Sequence, residues 1–285
     1  MKNSNIFHIS QCESGVNYTI NIYIDITNRR LRVDDYRGNV SSIMKRVVEI
    51  AKEYSFTKVI IKSKDGDWRK FLSYGYQLEG IIEGFFSGSD AYFMSYYFSD
   101  ERRTSHYWKE EDDIINSVLE LPNNEPIQLL PSIYKMRLAT QDDASDLAKL
   151  YHHVFPSYPT PMNEKSYIEK VMDEGTIFYL VEWNSEIVSA ASAEVNAHYQ
   201  NAEMTDCATL KEHRKYGFMK LLITELEKYL IEQNIYCAYS LARARSFGMN
   251  AVFGKLGYQY NGRLTKNCDI FGEFEDMNIW VKKLV

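Results

Sequence analysis

The sequence predicts an α/β chain in two units, and three observations predict it. Strand-like and helix-like stretches alternate along most of the 285 residues. Late in the chain a strand-like stretch, Met204-Thr205-Asp206-Cys207-Ala208-Thr209-Leu210, runs into Arg214-Lys215-Tyr216-Gly217-Phe218-Met219. A helical pattern follows directly, with Leu221, Leu222, Leu226, Tyr229 and Leu230 on one face. Third, Phe71-x-x-x-Gly75-Tyr76-Gln77-x-x-Gly80 recurs as Phe253-x-x-x-Gly257-Tyr258-Gln259-x-x-Gly262. Such an internal repeat argues for two related units. The strand-to-helix junction is the organising element. A helix start leaves backbone N–H groups unpaired and carries partial positive charge, so this turn is a candidate anion site. Gly217 lets the backbone approach a bound group closely.

With 45% hydrophobic and 25% charged residues, the composition is that of a soluble globular protein long enough for two cores. The first ten residues show no basic start followed by an apolar run, and no stretch approaches a membrane span in length. A cytoplasmic protein without membrane contact is expected. Cys12, Cys207, Cys237 and Cys268 lie far apart, with no C-x-x-C spacing, so neither a disulfide framework nor a metal site is expected. His152, His153, His198 and His213 show no ligand spacing either. A net charge of −6 argues against nucleic acid as a partner and suits a small cationic substrate.

Taken in order, residues 18–25 alternate, with Ile20, Ile22 and Ile24 on one side, and 31–36 form the hairpin partner. Residues 39–55 are helical, with Ile43, Val47, Ile50, Ala51 and Tyr54 on one face and Ser41 or Ser42 near the cap. A buried strand at 58–62, a helix at 68–73 and a strand at 76–82 follow. Residues 85–99 read as an edge hairpin turning at Ser87-Gly88-Ser89-Asp90. With the repeat, these elements read as a degenerate half-copy of the later ones. The alternative is that Phe-x-x-x-Gly-Tyr is a general helix exit with glycine in the left-handed cap. Near the end of this unit, Asp100-Glu101-Arg102-Arg103 and Lys109-Glu110-Glu111-Asp112-Asp113 read as solvated surface around a helix at 112–121. The turn signal Leu121-Pro122-Asn123-Asn124-Glu125-Pro126 and then Pro131 place the boundary, giving an N-terminal α/β domain at 1–130 and a second domain at 131–285.

The second domain is regular. A strand at 134–138 precedes a helix that Thr140-x-x-Asp143 opens as a capping box. Pro156, Pro159 and Pro161 interrupt, and a second helix occupies 163–174. Strands at 176–182, 186–196 and 204–210 lead to the glycine turn and the long helix. A strand at 237–242, a helix at 247–256 and strands at 258–264 and 278–283 complete the order.

Arg214-x-x-Gly217-x-Met219 resembles the acyl-CoA loop of the GCN5-related N-acetyltransferases (GNAT), although Met219 stands where that family has glycine or alanine. The element order around it is similar to the family's too. The resemblance implies a mixed central sheet flanked by helices, acetyl-CoA as co-substrate and no metal. A closer likeness is to the bacterial and archaeal beta-lysine N6-acetyltransferases. It rests on Asn250-x-x-Phe253-x-x-Leu256-Gly257-Tyr258-x-x-x-Gly262-Arg263-Leu264, Asn267-Cys268-Asp269-Ile270 and Phe274-Glu275-Asp276-Met277-Asn278-Ile279-Trp280. Ser157-Tyr158-Pro159-Thr160-Pro161 and Glu79-Gly80-x-x-x-Gly84-Phe85-Phe86 extend it over essentially the whole chain. It implies acetylation of the N6 side-chain amine of beta-lysine, supplied by a lysine 2,3-aminomutase, to give a neutral compatible solute.

Acetyl transfer to an alkyl amine must remove a proton from an ammonium group of pKa about 10.4. A carboxylate can take it, directly or through water, while strand N–H groups polarise the thioester carbonyl. By family position, Ala208, Thr209 and Leu210 offer backbone hydrogen bonds to pantetheine. Arg214, Lys215, Tyr216, Gly217, Phe218 and Met219 hold the pyrophosphate. Asp206 and Glu194 are the candidate bases. The tyrosine that reprotonates the thiolate in many relatives is matched here by Phe253, which leaves Tyr258, water or unaided departure. For the amino-acid substrate, Glu275 and Asp276 are expected to bind the backbone amine and Arg243, Arg245 or Arg263 the carboxylate, with Tyr158 lining the pocket. Two other readings stay open: an N-acetyltransferase for another small-molecule amine or a protein lysine, and a non-catalytic acyl-CoA sensor. A homodimer is left open as well.

Overall fold

The computed structural model describes residues 8–122, 129–155, 160–270 and 272–284. The first half runs β1 (His8–Ser14), β2 (Tyr18–Asp25), β3 (Arg30–Gly38), α1 (Val40–Glu53), β4 (Lys58–Ser63), α2 (Trp68–Ser73), β5 (Gln77–Phe86) and β6 (Ser89–Tyr97). Helices α3 (Asp100–Arg103) and α4 (Trp108–Leu119) lead out of it. The second half continues with β7 (Tyr134–Leu138), α5 (Ala144–Val154), α6 (Lys165–Asp173), β8 (Ile177–Trp183), β9 (Glu186–Asn196) and β10 (Asn201–Thr209). It ends with α7 (Phe218–Glu232), β11 (Cys237–Arg243), α8 (Phe247–Lys255), β12 (Gln259–Ile270) and β13 (Glu273–Lys283).

All strands join one mixed sheet in the order β1-β2-β3-β4-β6-β5-β12-β13-β11-β10-β9-β8-β7. Within it, β1-β2-β3-β4-β6-β5 and β8-β9-β10-β11-β13-β12 follow the same order. In each run the third and fourth strands are parallel and joined by a long helix, α1 or α7, and every other pair is antiparallel. Strand β7 and helices α5 and α6 belong to the second half alone. Both long helices start just after a glycine in the left-handed region, Gly38 at φ 106° and Gly217 at φ 71°. A strand, β3, precedes the glycine of the first half, at the place where the sequence reads the second strand of a hairpin. It passes into α1 with no intervening loop, whereas Lys211–His213 and the glycine turn separate β10 from α7.

The halves meet where β5 and β12 pair through Gly80 and Gly262, the last glycines of the two repeat copies. A Cβ on Gly262 would lie 2.3 Å from the Glu79 carbonyl oxygen and 2.5 Å from Gly80 Cα. Only two glycines let these backbones touch. Around them, Ile60, Ile82, Phe85 and Phe93 pack against Tyr239, Leu264, Ile279 and Val281 of the other half in one apolar cluster. Buried polar groups are matched across the seam. Lys58 Nζ, fully buried, donates to Thr265 O at 2.8 Å and pairs with Glu79 at 2.9 Å, and Glu79 Oε1 accepts from Thr265 N at 2.8 Å. Asn28 Oδ1 accepts from Asp269 N at 2.7 Å, and Arg30 Nη1 donates to Asn267 O at 3.0 Å.

Several local expectations change. β1 adds a strand ahead of the first hairpin. Asn39, not a serine, caps α1: its Oδ1 accepts from Ser42 N at 3.0 Å. The 85–99 hairpin is not at an edge: β6 pairs with β4 on one side and β5 on the other, and β5 pairs with β12, with Phe93 facing the seam and Met94 the first core. The charge clusters are not wholly solvated. Arg102 is buried, donating to Asn28 O at 2.8 Å and lying 3.5 Å from the Phe274 ring centre, and Glu111 is buried beside Arg263. Helix α4, on the N-terminal side of the boundary read near Pro131, sends Ile115 and Val118 into the core of the second half.

Replacing Gly262 by alanine is expected to lower stability by about 2–4 kcal/mol, since overpacking against backbone adds to left-handed strain. Gly88→Ala, at φ 103° but with nothing within 4 Å of the new Cβ, is expected to cost only about 1 kcal/mol. Thermal and urea unfolding of the two variants beside the parent checks the contrast; equal losses would mean that the seam contact is not limiting.

Candidate active site

The site is built on a fork. β10 and β11 pair in parallel only through Asn201–Glu203 and Cys237–Tyr239, although β10 runs on to Thr209 and β11 to Arg243. At the apex, Ser240 Oγ donates to Met204 O at 2.7 Å. Beyond it, one edge of β10 has no ladder partner among the described residues. On its other edge β10 keeps pairing with β9, but with an extra residue between Thr205 and Ala208. This bulge puts Asp206 in the left-handed region, at φ 48°. The strain is held from two sides: Tyr151 donates to the Asp206 carbonyl at 2.8 Å, and Ser192 Oγ donates to its carboxylate at 2.6 Å. An extended ligand carrying amides fits such an unpaired strand edge.

The glycine turn follows at the mouth of the fork. Lys215 (φ 85°) and Gly217 (φ 71°) both take left-handed conformations. From Lys215 through Met219, no backbone N–H finds an acceptor among the described residues, and the helix start has no side-chain cap. Five consecutive donors at the positive end of a 15-residue helix make a cradle for a phosphate group. Met219 does not obstruct it, because its side chain and that of Phe218 turn into the core. Arg214 folds back, Nε donating to Thr209 O at 3.2 Å, and Tyr216 stacks on Phe218. Leu210 is engaged inside the protein, its N–H with Val188 O and its carbonyl with His213 N, both at 2.9 Å. Of the three residues expected along pantetheine, this leaves Ala208 and Thr209 on the strand itself.

Behind the fork lies a cavity of about 510 Å³ between the two halves. Its second-half wall carries Glu194, Glu203, Thr205, Asp206 and Cys207; its first-half wall carries His8, Tyr23, Asp25, Arg30 and Arg32; Tyr167 of α6 and Phe253 of α8 also line it. Glu194 and Glu203 are directly opposed across β9 and β10. Two like charges at that spacing repel, and protein encloses both even though Glu194 is open to cavity solvent. Desolvation, with Glu203 and Asp206 adding to it, pushes the Glu194 carboxyl up to about 8. Burial raises Glu203 as well, against the pull of Arg32 and Lys62. Burial and mutual repulsion therefore favour the protonated form at this pair.

Both candidate bases, Asp206 and Glu194, thus come together in the cavity. Glu203 was missed because its strand reads from the sequence as starting at Met204; the structure starts it at Asn201, where polar side chains pair with β11. The expected substrate contacts are placed differently. Glu275 is held by Arg243 through two bonds of 2.7 Å. Arg263 pairs with Asp112 at 2.9 Å and Glu111 at 3.5 Å, and Asp276 accepts from Lys266 N at 2.8 Å; both lie beneath α4, outside the cavity. Arg245 stacks on Tyr107, 3.9 Å from its ring centre. Arg263 and Arg245 thus hold the linker down, whereas Arg243, expected as a carboxylate ligand, does line the cavity. Tyr158 lies outside the described residues. Phe253 does line the cavity, and Tyr258 is buried behind it against Lys282.

Comparison with known proteins agrees with this geometry. The family profile "Acetyltransferase (GNAT) family" matches residues 144–258, which span α5 to the start of β12. The chain is 39% identical over 257 residues to N-acetyltransferase YodP of Bacillus subtilis, covering 90% of this chain and 93% of that protein. It is 35% identical to a Beta-lysine N(6)-acetyltransferase of Methanococcus maripaludis over 92% of this chain and 95% of the relative. A Beta-lysine N(6)-acetyltransferase of Methanosarcina mazei is 36% identical over 88% of this chain and all of its own length, 100%. With the fork, the N–H cradle and the carboxylate cavity in place, and relatives matched almost end to end, the chain belongs to the GNAT acetyltransferases, in the group that includes the beta-lysine N6-acetyltransferases.

Proposed function

We propose that this protein transfers the acetyl group of acetyl-CoA to the N6 amine of beta-lysine. The observation that carries the reading is an unpaired strand edge and two opposed carboxyl groups at one cavity, with the turn that follows the strand carrying five backbone N–H groups that find no acceptor among the described residues. Near end-to-end similarity to two proteins named for this activity supports the choice of amine.

Acetyl-CoA supplies the activated acyl group. The turn at 215–219 holds its pyrophosphate, and Ala208 and Thr209 align pantetheine along β10. The bulge at Asp206 shapes the fork for the thioester. Glu194, with Glu203, takes the proton from the substrate ammonium. A solvated carboxylate is about a millionfold too weak a base for this ammonium, given the ordinary acidities of the two groups in water. A carboxyl at about 8 narrows the deficit to a few hundredfold. That is why the pair, not a solvated acid, suits the task. Asp206, fixed by Ser192, keeps Glu194 basic through its charge. With phenylalanine at position 253, the thiolate takes its proton from water. A neutral compatible solute as product, a cytoplasmic site of action and osmotic protection complete the proposal.

The defining measurement is thiol release from acetyl-CoA with beta-lysine, alpha-lysine or no amine, followed by mass spectrometry to locate the acetyl group. Acetylation of the terminal amine of beta-lysine is expected; turnover only with alpha-lysine or a polyamine would replace the assignment. In the pH profile, kcat/KM is expected to rise up to about pH 8, where Glu194 loses its proton. Glu194→Gln should remove this limb and lower kcat by at least about 100-fold. The sign for stability is opposite. Because the folded-state pKa is raised, the native protein binds more protons than the unfolded chain between the usual carboxylate range and about 8, and stability falls as pH rises through that window. Glu194→Gln is therefore expected to raise Tm at pH 8 and to change it little at pH 4. Gly217→Val should weaken acetyl-CoA binding about tenfold or more by calorimetry, since a β-branched residue resists the left-handed conformation.

A further inference from the structure

We propose that the first half selects the substrate: Arg32 binds the carboxylate of the acyl acceptor, so that the enzyme takes an amino acid in preference to a plain diamine. The proposal rests on the acceptor reading above and extends it to the opposite wall of the cavity.

The two parallel ladders place equivalent residues on facing walls. Arg30, Leu31 and Arg32 pair with β4 as Asn201, Ala202 and Glu203 pair with β11, so Arg32 holds in the first half the place that Glu203 holds in the second. Both residues line the cavity. The repeat thus brings a cation from one half to the same space as a carboxylate from the other, and the two interact electrostatically.

Arg32 is also prepared for an anion. Its Nε and Nη2 donate to Asp34 at 2.7 and 3.1 Å, and its guanidinium lies 4.5 Å from the Tyr23 ring centre. Held on an edge and a face, the group loses little freedom on binding. Its Nη1 has no acceptor among the described residues. Lys62 Nζ shares the same carboxylate, 2.9 Å from Asp34 Oδ1. Two cations on one anion leave a surplus positive charge at the cavity wall. Arg30 differs, because Asp25 balances it and its Nη1 is engaged with Asn267 O. Across from this surplus stand the opposed carboxyl groups of Glu194 and Glu203. A cationic wall facing an anionic one matches an acceptor that has a carboxylate and amines. A plain diamine offers the Arg32 cluster no carboxylate.

The test compares beta-lysine with 1,4-diaminopentane, which keeps both amines and the carbon spacing but lacks the carboxyl group. The parent enzyme is expected to favour beta-lysine by about 10- to 100-fold in kcat/KM, the range of one charge-assisted hydrogen bond. Arg32→Met should abolish that preference by raising KM for beta-lysine alone, with kcat within about threefold, and Arg32→Lys, which keeps charge but loses the fork, should fall between. Calorimetric binding of acetyl-CoA reports whether each variant is folded. If Arg32→Met fails that control, Arg32→Lys decides by the same ratio. An unchanged ratio in a folded variant overturns the proposal. If the parent enzyme acetylates neither amine, the acceptor reading fails. The role of Arg32 is then judged by calorimetric binding of the two compounds to parent and variant, with equal affinities overturning it.

Discussion

Two glycine backbones in contact are the constraint on which this molecule depends. Gly80 and Gly262 let β5 and β12 approach closely enough to pair, which turns two short sheets into one and fixes the angle at which the halves face each other. A methyl group at either position would meet backbone, which cannot move aside as a side chain can. From this contact follows the cavity. β3 of one half becomes the wall opposite β10 of the other, and neither half encloses that space alone.

The same strand plan gives different chemistry on its two sides because the junctions after the parallel strand differ. In the second half, the bulge at Asp206 and the loop at 211–217 hold β10 away from β11 and leave N–H groups free. In the first half, β3 enters α1 at once, and the space beyond the β3–β4 pairing is filled. Lys62 pairs with Asp34, Lys64 pairs with Asp35 at 2.8 Å, and Tyr36 Oη lies 3.3 Å from Ser63 Oγ. A degenerate copy of an acyl-CoA-binding half is the account we favour for that arrangement, with ion pairs occupying the position of the co-substrate.

Electrostatic cost is concentrated where it serves the reaction. Lys58 is buried at the seam, but Glu79 and Thr265 satisfy it, so its charge joins the halves without strain on the site. Glu111 and Asp276 face one another beneath α4 beside Arg263, and desolvation pushes Glu111 up to about 7. Glu194 and Glu203, by contrast, are directly opposed, and attraction from Arg32 and Lys62 offsets only part of the cost of their burial. A carboxyl pushed up to about 8 is a better proton acceptor than a solvated carboxylate, and a cost in stability of this kind is common at active sites.

Much of this was legible in the chain order. The alternating strands and helices, the glycine turn before α7 and the repeat that ends in Gly80 and Gly262 all rest on local patterns, whose periods and turn residues act over a few positions, while Asp206 and Glu194 are candidates by resemblance to the family. The contacts that choose a partner do not. The resemblance and the charges of its substrate offer Arg243, Arg263, Glu275 and Asp276 as substrate ligands, yet three-dimensional packing pairs Arg243 with Glu275 and sets Arg263 and Asp276 beneath α4. Glu203 and Arg32 are separated by most of the chain, and nothing local marks either one. They line the same cavity because long-range strand pairing carries each to its wall, and that pairing is a property of the whole sheet.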